Sequence, residues 1–246
     1  MTMDGKVALV TGGSRGLGMR MVTAFAALGA DVIIASRKLE NCEKLAQFVG
    51  EEYGRKALPV ACNVSDWEQC DALVAAAYAE FGRVDVLVNN AGLSPLYPSL
   101  DQVGEGLWDK VIGINLKGPF RLSSLIGTRM AAGDGGSIIN ISSMAAIRPA
   151  PEHLPYAAAK AGLNALTEGL AQAFGPTVRV NGIQCGAFLT DISEAWTPEV
   201  VEVLTRDVAL GRCGEPDEVV GAAVYFATEA SSFATGATLR LDGGVR

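Results

Sequence analysis

The sequence predicts a single α/β domain over residues 1–246, a doubly wound parallel sheet with helices on both faces. Seven short apolar runs recur, and the first five are nearly continuous in Val, Ile, Leu and Ala. Such runs are typical of parallel strands that are buried on both faces. Longer segments with a 3.6-residue apolar spacing separate them, and strand followed by helix is the βαβ pattern. No linker rich in Pro, Ser or Gly divides the chain.

The elements alternate along the whole chain. Strands are predicted, from their Val, Ile and Leu content, at 6–11, 31–36, 57–62, 84–89, 137–142, 178–183 and 237–242. Helices are predicted, from their apolar periodicity, at 17–28, 39–53, 66–81, 103–131, 156–174 and 216–229. Two segments, 144–155 and 186–207, break the alternation after a strand's carboxyl end, where open α/β sheets bind ligands. Segment 186–207 is long enough to be a substrate lid with a short helix.

Composition excludes several classes of protein. The 246 residues are 49% hydrophobic with a formal net charge of −7, which excludes disorder and argues against nucleic acid as a partner. No apolar stretch approaches the roughly 20 residues of a membrane span, and the N-terminus does not resemble a signal peptide. Five scattered cysteines and one histidine predict no metal site. We therefore expect a cytoplasmic protein that does not bind membranes.

A glycine-rich turn follows the first strand and opens a helix. It reads Thr-Gly-Gly-Ser-Arg-Gly-Leu-Gly over residues 11–18. Gly12, Gly16 and Gly18 allow a tight turn and close approach of a pyrophosphate, and the helix N-terminus supplies unpaired N–H groups. Because strand, turn and helix occur in this order, the motif predicts dinucleotide binding through the turn, Ser14, Arg15 and Leu17 included.

The end of the second strand indicates which dinucleotide is bound. NAD-binding proteins usually have Asp or Glu here for the ribose 2′-hydroxyl, whereas this chain has Ser36 and Arg37. A carboxylate would repel a 2′-phosphate, and Arg37 together with Arg15 could hold one through charge-assisted hydrogen bonds. We therefore expect NADP(H), with NAD(H) the weaker alternative. Asn90, Ala91 and Gly92 follow the fourth strand, where small residues let the chain pass close to the adenosine ribose.

A serine, a tyrosine and a lysine carry the predicted chemistry. Tyr156 and Lys160 are four residues apart on a predicted helix and share one face. An ammonium near a phenol favours the phenolate, so we expect Lys160 to lower the pKa of Tyr156 and tune it for proton exchange with a carbonyl or alcohol oxygen. Ser143, at the end of the fifth strand, could donate a hydrogen bond to the same oxygen.

These motifs together make the chain resemble the short-chain dehydrogenase/reductase family over nearly its whole length. The resemblance implies a Rossmann-type sheet of order 3-2-1-4-5-6-7, Tyr156 as acid/base and Ser143 as the group that orients the substrate oxygen. It also implies that Lys160 holds the nicotinamide ribose and that Asn115 supports a water relay. Cofactor contacts are implied at Asn63, Val64, Asn90, Ala91, Gly92, Gly186 and Thr190. Many relatives are tetramers, so a homotetramer, or a homodimer, is expected.

Two positions depart from the family pattern. Asn63 stands where many relatives have an aspartate that accepts a hydrogen bond from the adenine amine, and an amide oxygen can still accept one. Cys185 replaces the usual proline before Gly186, and we expect it to be a packing residue because nothing near it in the sequence creates a low-pKa thiolate.

The combined expectation is an NADP(H)-dependent oxidoreductase that interconverts a carbonyl and a secondary alcohol on a mostly apolar small molecule. Besides an isomerase or dehydratase that uses the same site, two alternatives remain open at this point. One is a 3-oxoacyl thioester reductase, for which Arg129 and Arg148 could help bind an acidic carrier protein. The other is a non-catalytic dinucleotide-binding regulator.

Overall fold

The computed structural model describes residues 1–191, 193 and 196–245, and contains one seven-stranded parallel sheet. Its order is β3-β2-β1-β4-β5-β6-β7, which confirms the predicted fold class. The strands are β1 (Val7–Thr11), β2 (Asp31–Ser36), β3 (Ala57–Ala61), β4 (Val86–Asn89), β5 (Gly136–Ser143), β6 (Val178–Cys185) and β7 (Thr238–Leu241). Within the predicted lid 186–207, Ile192, Glu194 and Ala195 lie outside the described residues.

Helices cover both faces of the sheet. They are α1 (Gly16–Ala27), α2 (Leu39–Tyr53), α3 (Trp67–Phe81), α4 (Glu105–Ile112), α5 (Gly118–Ala131), α6 (Leu154–Phe174), α7 (Pro198–Thr205) and α8 (Val220–Ala227). Helix α7 is the short helix expected within the lid segment. The predicted helix 216–229 instead begins as a 3₁₀ turn, Pro216–Val219, before α8.

Two apolar layers explain why the strand sequences are so continuously hydrophobic. Successive residues of β1 point to opposite faces, with Val10 in the layer under α1, α2 and α8, and Leu9 in the layer under α3, α5 and α6. Phe25 of α1 packs in the first layer and Leu122 of α5 in the second, and both are fully buried. Because each face of the sheet meets helices, most side chains of the central strands are apolar, and buried polar ones such as Asn140 and Asn181 are hydrogen-bonded to neighbouring elements.

The predicted helix 103–131 is wrong in its middle. Helices α4 and α5 are separated by a π-helical turn, Gly113–Lys117. Two glycines bracket this turn and lie against the segment after β3, since a Cβ on Gly113 would lie 2.9 Å from the Ser65 Cβ and one on Gly118 would lie 2.3 Å from the Val64 carbonyl oxygen. The apolar spacing runs through the interruption unchanged, so the pattern gave no sign of it.

No helix in the described part of the chain has both the length and the apolarity needed to cross a lipid bilayer. Among the same residues, no three His, Cys, Asp or Glu side chains are grouped so that they could hold a metal ion. All five cysteines are free and buried.

The close contact at Gly118 yields a stability prediction. Gly118→Ala should lower the free energy of unfolding by about 1–3 kcal/mol, because the added methyl group meets a backbone carbonyl that cannot move independently. Gly50→Ala is the control, because Gly50 is exposed on α2 and a Cβ there would meet only the Arg55 carbonyl oxygen, at 4.0 Å. The higher helix propensity of alanine should raise the free energy of unfolding by about 0.5–1 kcal/mol. Urea unfolding measures both, and a Gly118 variant as stable as the parent would contradict the packing.

Candidate active site

The glycine-rich turn forms the floor of a crevice between β1 and β4, where the strand order reverses. Gly12 has a φ of +62°, and its Cβ would lie 2.9 Å from the Asn90 Nδ2. A Cβ on Gly18 would lie 2.2 Å from the Gly12 carbonyl oxygen. Arg15 occupies the N-cap of α1 without a side-chain capping bond, so the first N–H groups of α1 have no side-chain acceptor there. The turn therefore fits an anionic group, as predicted for a pyrophosphate.

Hydroxyl groups join this turn to the end of β2. The Ser14 Oγ donates to the Ser36 Oγ at 2.9 Å, and the Cys42 Sγ lies 3.2 Å from the same Ser36 oxygen. Arg37 is exposed, and Arg15 is paired only loosely, with its Nη1 3.9 Å from the Asp191 Oδ2. The structure thus brings Ser14 and Ser36 together where an NAD-binding protein would have a carboxylate, and the neighbouring Arg15 and Arg37 are exposed.

The segment after β4 braces the turn from the other side. The Asn90 Nδ2 donates to the carbonyl oxygens of Thr11, at 2.9 Å, and Gly12, at 3.2 Å. Gly92 faces the catalytic residues, because a Cβ there would lie 3.1 Å from the Asn115 Oδ1 and 3.9 Å from the Lys160 Nζ. The turn, the 90–92 segment and the π-helical turn therefore line one continuous site.

Ser143, Tyr156 and Lys160 meet at the carboxyl end of β5. Ser143 is the last residue of β5, and its Oγ accepts a hydrogen bond from the Ala145 N–H at 3.2 Å. The side chains of Ser143 and Tyr156 share a hydrogen bond. The Lys160 Nζ lies 5.6 Å from the centre of the Tyr156 ring, one turn along α6. The predicted constellation is therefore assembled, although its residues come from separate elements.

The ionisation of this group differs from the sequence-based expectation. Burial raises the pKa of Tyr156 to about 12, and the hydrogen bond from Ser143 opposes this shift only in part. The predicted lowering of the tyrosine pKa by Lys160 is wrong for the chain itself, since burial dominates. Lys160 is 3% exposed, donates to the Ile141 carbonyl oxygen at 2.7 Å, and has its own pKa lowered by burial to about 8.

Asn115 is fully buried in the π-helical turn. Its Nδ2 donates to the carbonyl oxygens of Leu93, at 2.8 Å, and Val111, at 2.9 Å, while its Oδ1 accepts from the Leu93 N–H at 3.3 Å. The side chain therefore fastens the loop that begins at Leu93 beside Lys160. The Asn115 side chain thus lies in the π-helical turn, next to Gly92.

The positions that depart from the family pattern have clear environments. The Asn63 Oδ1 accepts hydrogen bonds from the Ser65 N–H, at 3.3 Å, and the Ser65 hydroxyl, at 3.0 Å, so the oxygen expected to meet adenine already has partners. Burial raises the pKa of Cys185 to about 12, with Lys160 opposing, so its thiol is protonated and packs as expected. Val64, the neighbour of Asn63, is buried.

The start of the lid lies over the glycine-rich turn. The Gly186 N–H donates to the Leu241 carbonyl oxygen at 2.9 Å, which ties the end of β6 to β7. Four residues later, the Thr190 Cβ lies 3.6 Å from where a Cβ on Gly16 would be. Thr190 therefore lies close to the glycine-rich turn, and its contact with the cofactor stays a prediction.

Sequence reasoning missed a chain of polar side chains behind Ser143. The Ser142 Oγ donates to the Asn164 Oδ1 at 2.6 Å, the Asn164 Nδ2 donates to the Gln184 Oε1 at 3.3 Å, and the Gln184 Nε2 donates to the Met144 Sδ at 3.2 Å. These bonds join β5, α6 and β6 on both sides of Ser143. The one available signal is that Asn164 follows Lys160 by four residues on the same helical face.

Burial of Lys160 predicts a specific pH dependence of stability. Lys160→Met should raise the free energy of unfolding at neutral pH by about 1–3 kcal/mol, because it removes a buried ammonium whose pKa is lowered to about 8. The parent should recover this difference as the pH rises from about 8 to about 10.5, where the unfolded lysine also loses its proton. Urea unfolding across this range measures it, and exposed Lys44→Met should show no such convergence.

Comparison with known proteins agrees with this geometry. A family model described as short chain dehydrogenase matches residues 6–200. The chain is 37% identical over 244 residues to D-threitol dehydrogenase of Mycolicibacterium smegmatis, covering 98% of this chain and 93% of that protein. It is 35% identical over 246 residues to the 3-oxoacyl-(acyl-carrier-protein) reductase FabG of Thermotoga maritima, covering 100% and 99% respectively. A solved chain from Beutenbergia cavernae with NADP bound at low occupancy matches with a TM-score of 0.92 and 33% identity, covering 98% of this chain and 97% of that one. This protein belongs to the short-chain dehydrogenase/reductase family.

Proposed function

We propose that this chain is an NADP(H)-dependent oxidoreductase that interconverts a carbonyl and a secondary alcohol on a mostly apolar small molecule. The observation that carries the proposal is the hydrogen-bonded pair Ser143 and Tyr156 beside the buried Lys160, facing the same crevice as the glycine-rich turn. Membership of the family fixes the class of chemistry, an oxidoreductase acting on alcohols and carbonyls.

The side chains fit the role of acid in carbonyl reduction. A nicotinamide held beside Tyr156 and Lys160 would supply hydride to the substrate carbon, or would accept it in the reverse direction. Tyr156, whose pKa is about 12, carries its proton at neutral pH and can donate it to the substrate oxygen as negative charge develops there. Ser143 donates a second hydrogen bond to that oxygen. The Lys160 ammonium, over the ring, stabilises the phenolate that proton donation leaves behind.

The proposed cofactor is NADP(H) rather than NAD(H). Position 36 is a serine bonded to Ser14, and Arg15 and Arg37 are exposed beside it, so a 2′-phosphate meets donors and cations instead of a carboxylate. The solved relative with bound NADP supports this choice. The proposed cofactor contacts are Gly12, Ser14, Arg15, Gly16, Leu17, Gly18, Ser36, Arg37, Asn63, Val64, Asn90, Ala91, Gly92, Tyr156, Lys160, Gly186 and Thr190.

Exposed apolar side chains around the site support an apolar substrate. Three segments border Ser143 and Tyr156, namely 93–98, 144–155 and 186–207. Each carries large, exposed hydrophobic residues: Leu96, Ile147, Leu154 and Leu189. Helix α7 of the proposed lid, segment 186–207, has no buried residue and exposes Val200, Val203 and Leu204. Closure of the lid over a substrate would cover these apolar surfaces.

A 3-oxoacyl thioester reductase is the second candidate, because one relative carries that name. Two arginines were considered for binding a carrier protein. Arg129, one of them, lies at the opposite edge of the sheet from the proposed catalytic residues. Its guanidinium lies 4.3 Å above the Tyr78 ring and lines a cavity with Gly82 and Gly135, near the amino ends of β4 and β5, whereas the catalytic residues lie at the carboxyl end. We therefore favour a free substrate or a CoA thioester over a carrier-bound one. A non-catalytic regulator has no need of the assembled site.

The proposal places the enzyme in the cytoplasm as a homotetramer, or a homodimer. Ile112, Leu116, Phe120 and Leu166 line an apolar groove of about 280 Å³ on the face formed by α4, α5 and α6. A second copy of the chain packed on this face would remove that apolar surface from water.

Replacing the proposed acid tests the assignment directly. Tyr156→Phe removes the proton donor and the hydroxyl partner of Ser143, and should lower kcat for ketone reduction at least about 100-fold while NADPH binding is retained. NADPH absorbance follows turnover, and quenching of protein fluorescence follows binding. Tyr53→Phe, at the distant end of α2, is the control. A Tyr156 variant with normal turnover would exclude this role, and a parent chain that binds NADPH without consuming it would favour the regulator.

Changing the end of β2 tests the cofactor. Ser36→Asp introduces a carboxylate that repels a 2′-phosphate and accepts a 2′-hydroxyl bond, so the ratio of kcat/KM for NADPH to that for NADH should fall at least about tenfold. Ser36→Ala loses the bond to Ser14 without adding charge, and should change the ratio far less. A parent enzyme that prefers NADH would refute the NADP(H) proposal.

A further inference from the structure

Two of the five cysteines lie against each other beneath the segment that follows β3. Cys62 directly follows β3 and Cys70 lies in the first turn of α3, with exposed fractions of 3% and 0%. The Cys62 Sγ lies 3.6 Å from the Gln69 carbonyl oxygen, and the Cys70 Sγ lies 3.4 Å from the Val64 carbonyl oxygen. Each thiol thus reaches the backbone beside the other, and the two thiols also interact directly.

The remaining cysteines have other neighbours. Cys42 faces Ser36, Cys185 lies near Lys160, and burial raises the pKa of Cys213 with Glu215 as its charged neighbour. Among the described residues, therefore, Cys62 and Cys70 are the pair of thiols in mutual contact. Their interaction lowers the pKa of Cys70 and raises that of Cys62, so Cys70 is the more readily ionised member of the pair.

We propose that Cys62 and Cys70 are a modification site at which hydrogen peroxide forms a reversible intramolecular disulfide. The Cys70 thiolate attacks one peroxide oxygen, the O–O bond breaks, and hydroxide leaves with the proton that the thiol released, forming water. The resulting sulfenic acid is attacked by the Cys62 sulfur, the S–S bond forms, and a second water leaves with the Cys62 proton. Two thiols are oxidised and one peroxide is reduced to two waters. A dithiol restores both cysteines.

The Cys62–Cys70 disulfide would change the shape of the proposed cofactor site, a consequence that rests on the proposed function. It encloses the segment 63–69, which begins with Asn63 and Val64 at the proposed adenine position. Oxidation removes the Cys70 thiol from the Val64 carbonyl, the same carbonyl that packs against Gly118 at the end of the π-helical turn carrying Asn115. We expect oxidised enzyme to bind NADPH several-fold more weakly.

Mass spectrometry of the folded full chain tests the site independently of activity. After peroxide treatment of the folded chain, the chain is unfolded in urea, free thiols are alkylated, and the chain is digested with trypsin without reduction. Residues 57–83 form one tryptic peptide between Lys56 and Arg83, and it holds both cysteines and no other. It should escape alkylation and lose the mass of two hydrogen atoms, about 2 Da, which a dithiol reverses. Alkylation of both cysteines, or sulfinic acid on either, would overturn the proposal.

Matched variants separate the site from general oxidation. Cys62→Ser and Cys70→Ser should each abolish the peptide's loss of mass, whereas Cys213→Ala should form the disulfide like the parent. If both serine variants fail to fold, the mass of the 57–83 peptide from the parent chain still shows whether the disulfide forms. We expect peroxide to weaken NADPH binding both in the parent and in Cys213→Ala, and a dithiol to restore it. This result would support an effect of the disulfide on the proposed cofactor site. If the disulfide forms but the NADPH affinity is unchanged, the modification site stands and its effect on cofactor binding is refuted. If the parent chain never binds NADPH, only the proposed function is refuted.

Discussion

The hydroxyl group of Thr11 joins the two strands between which the sheet reverses its order. It donates to the Val88 carbonyl oxygen at 3.2 Å and accepts from the N–H groups of Asn90, at 3.0 Å, and Ala91, at 3.1 Å. Thr11 begins the glycine-rich turn, so these bonds fix the turn and the 90–92 segment relative to each other. The backbone ladder already pairs Val10 of β1 with Val88 of β4, and the Thr11 hydroxyl extends that pairing beyond the strand ends, where ligands bind in such sheets.

Burial accounts for the ionisation of the catalytic group more than pairing does. It raises the pKa values of Tyr156 and Cys185 and lowers that of Lys160, so near neutral pH the phenol and thiol keep their protons and most of the lysine remains charged. A neutral phenol beside an ammonium is arranged to give up a proton when negative charge appears on a nearby oxygen. Burying the Lys160 ammonium therefore lowers the stability of the fold, and its hydrogen bond to the Ile141 carbonyl offsets part of this cost.

The sequence was sufficient to predict the seven strands, their parallel arrangement and the residues that meet at the carboxyl edge. This succeeded because the first five strands are nearly continuous in apolar residues, as strands buried on both faces usually are, and because Tyr156 and Lys160 share one helical face. Spacing shows that two groups are near each other, but it does not show how dry their surroundings are, so the direction of the Tyr156 pKa was missed. The π-helical turn was missed because it depends on Gly118 touching Val64, a contact between distant parts of the chain. The position of Arg129 could have been predicted from the sequence, because a helix that leads into a parallel strand ends at that strand's amino edge, and Arg129 lies shortly before β5.

The proposed catalytic residues and the exposed apolar residues near them lie in different parts of the structure. Ser143 is held between Ser142 and Met144, whose side chains belong to the polar chain through Asn164 and Gln184, and Lys160 is bonded to β5. These contacts are internal to β5, α6 and β6 and do not involve the lid. The exposed leucines and isoleucine that border the site lie instead on surface segments, where substitution has little cost to the fold. The relatives include a threitol dehydrogenase and an acyl-carrier-protein reductase, so membership of the family does not by itself fix the substrate.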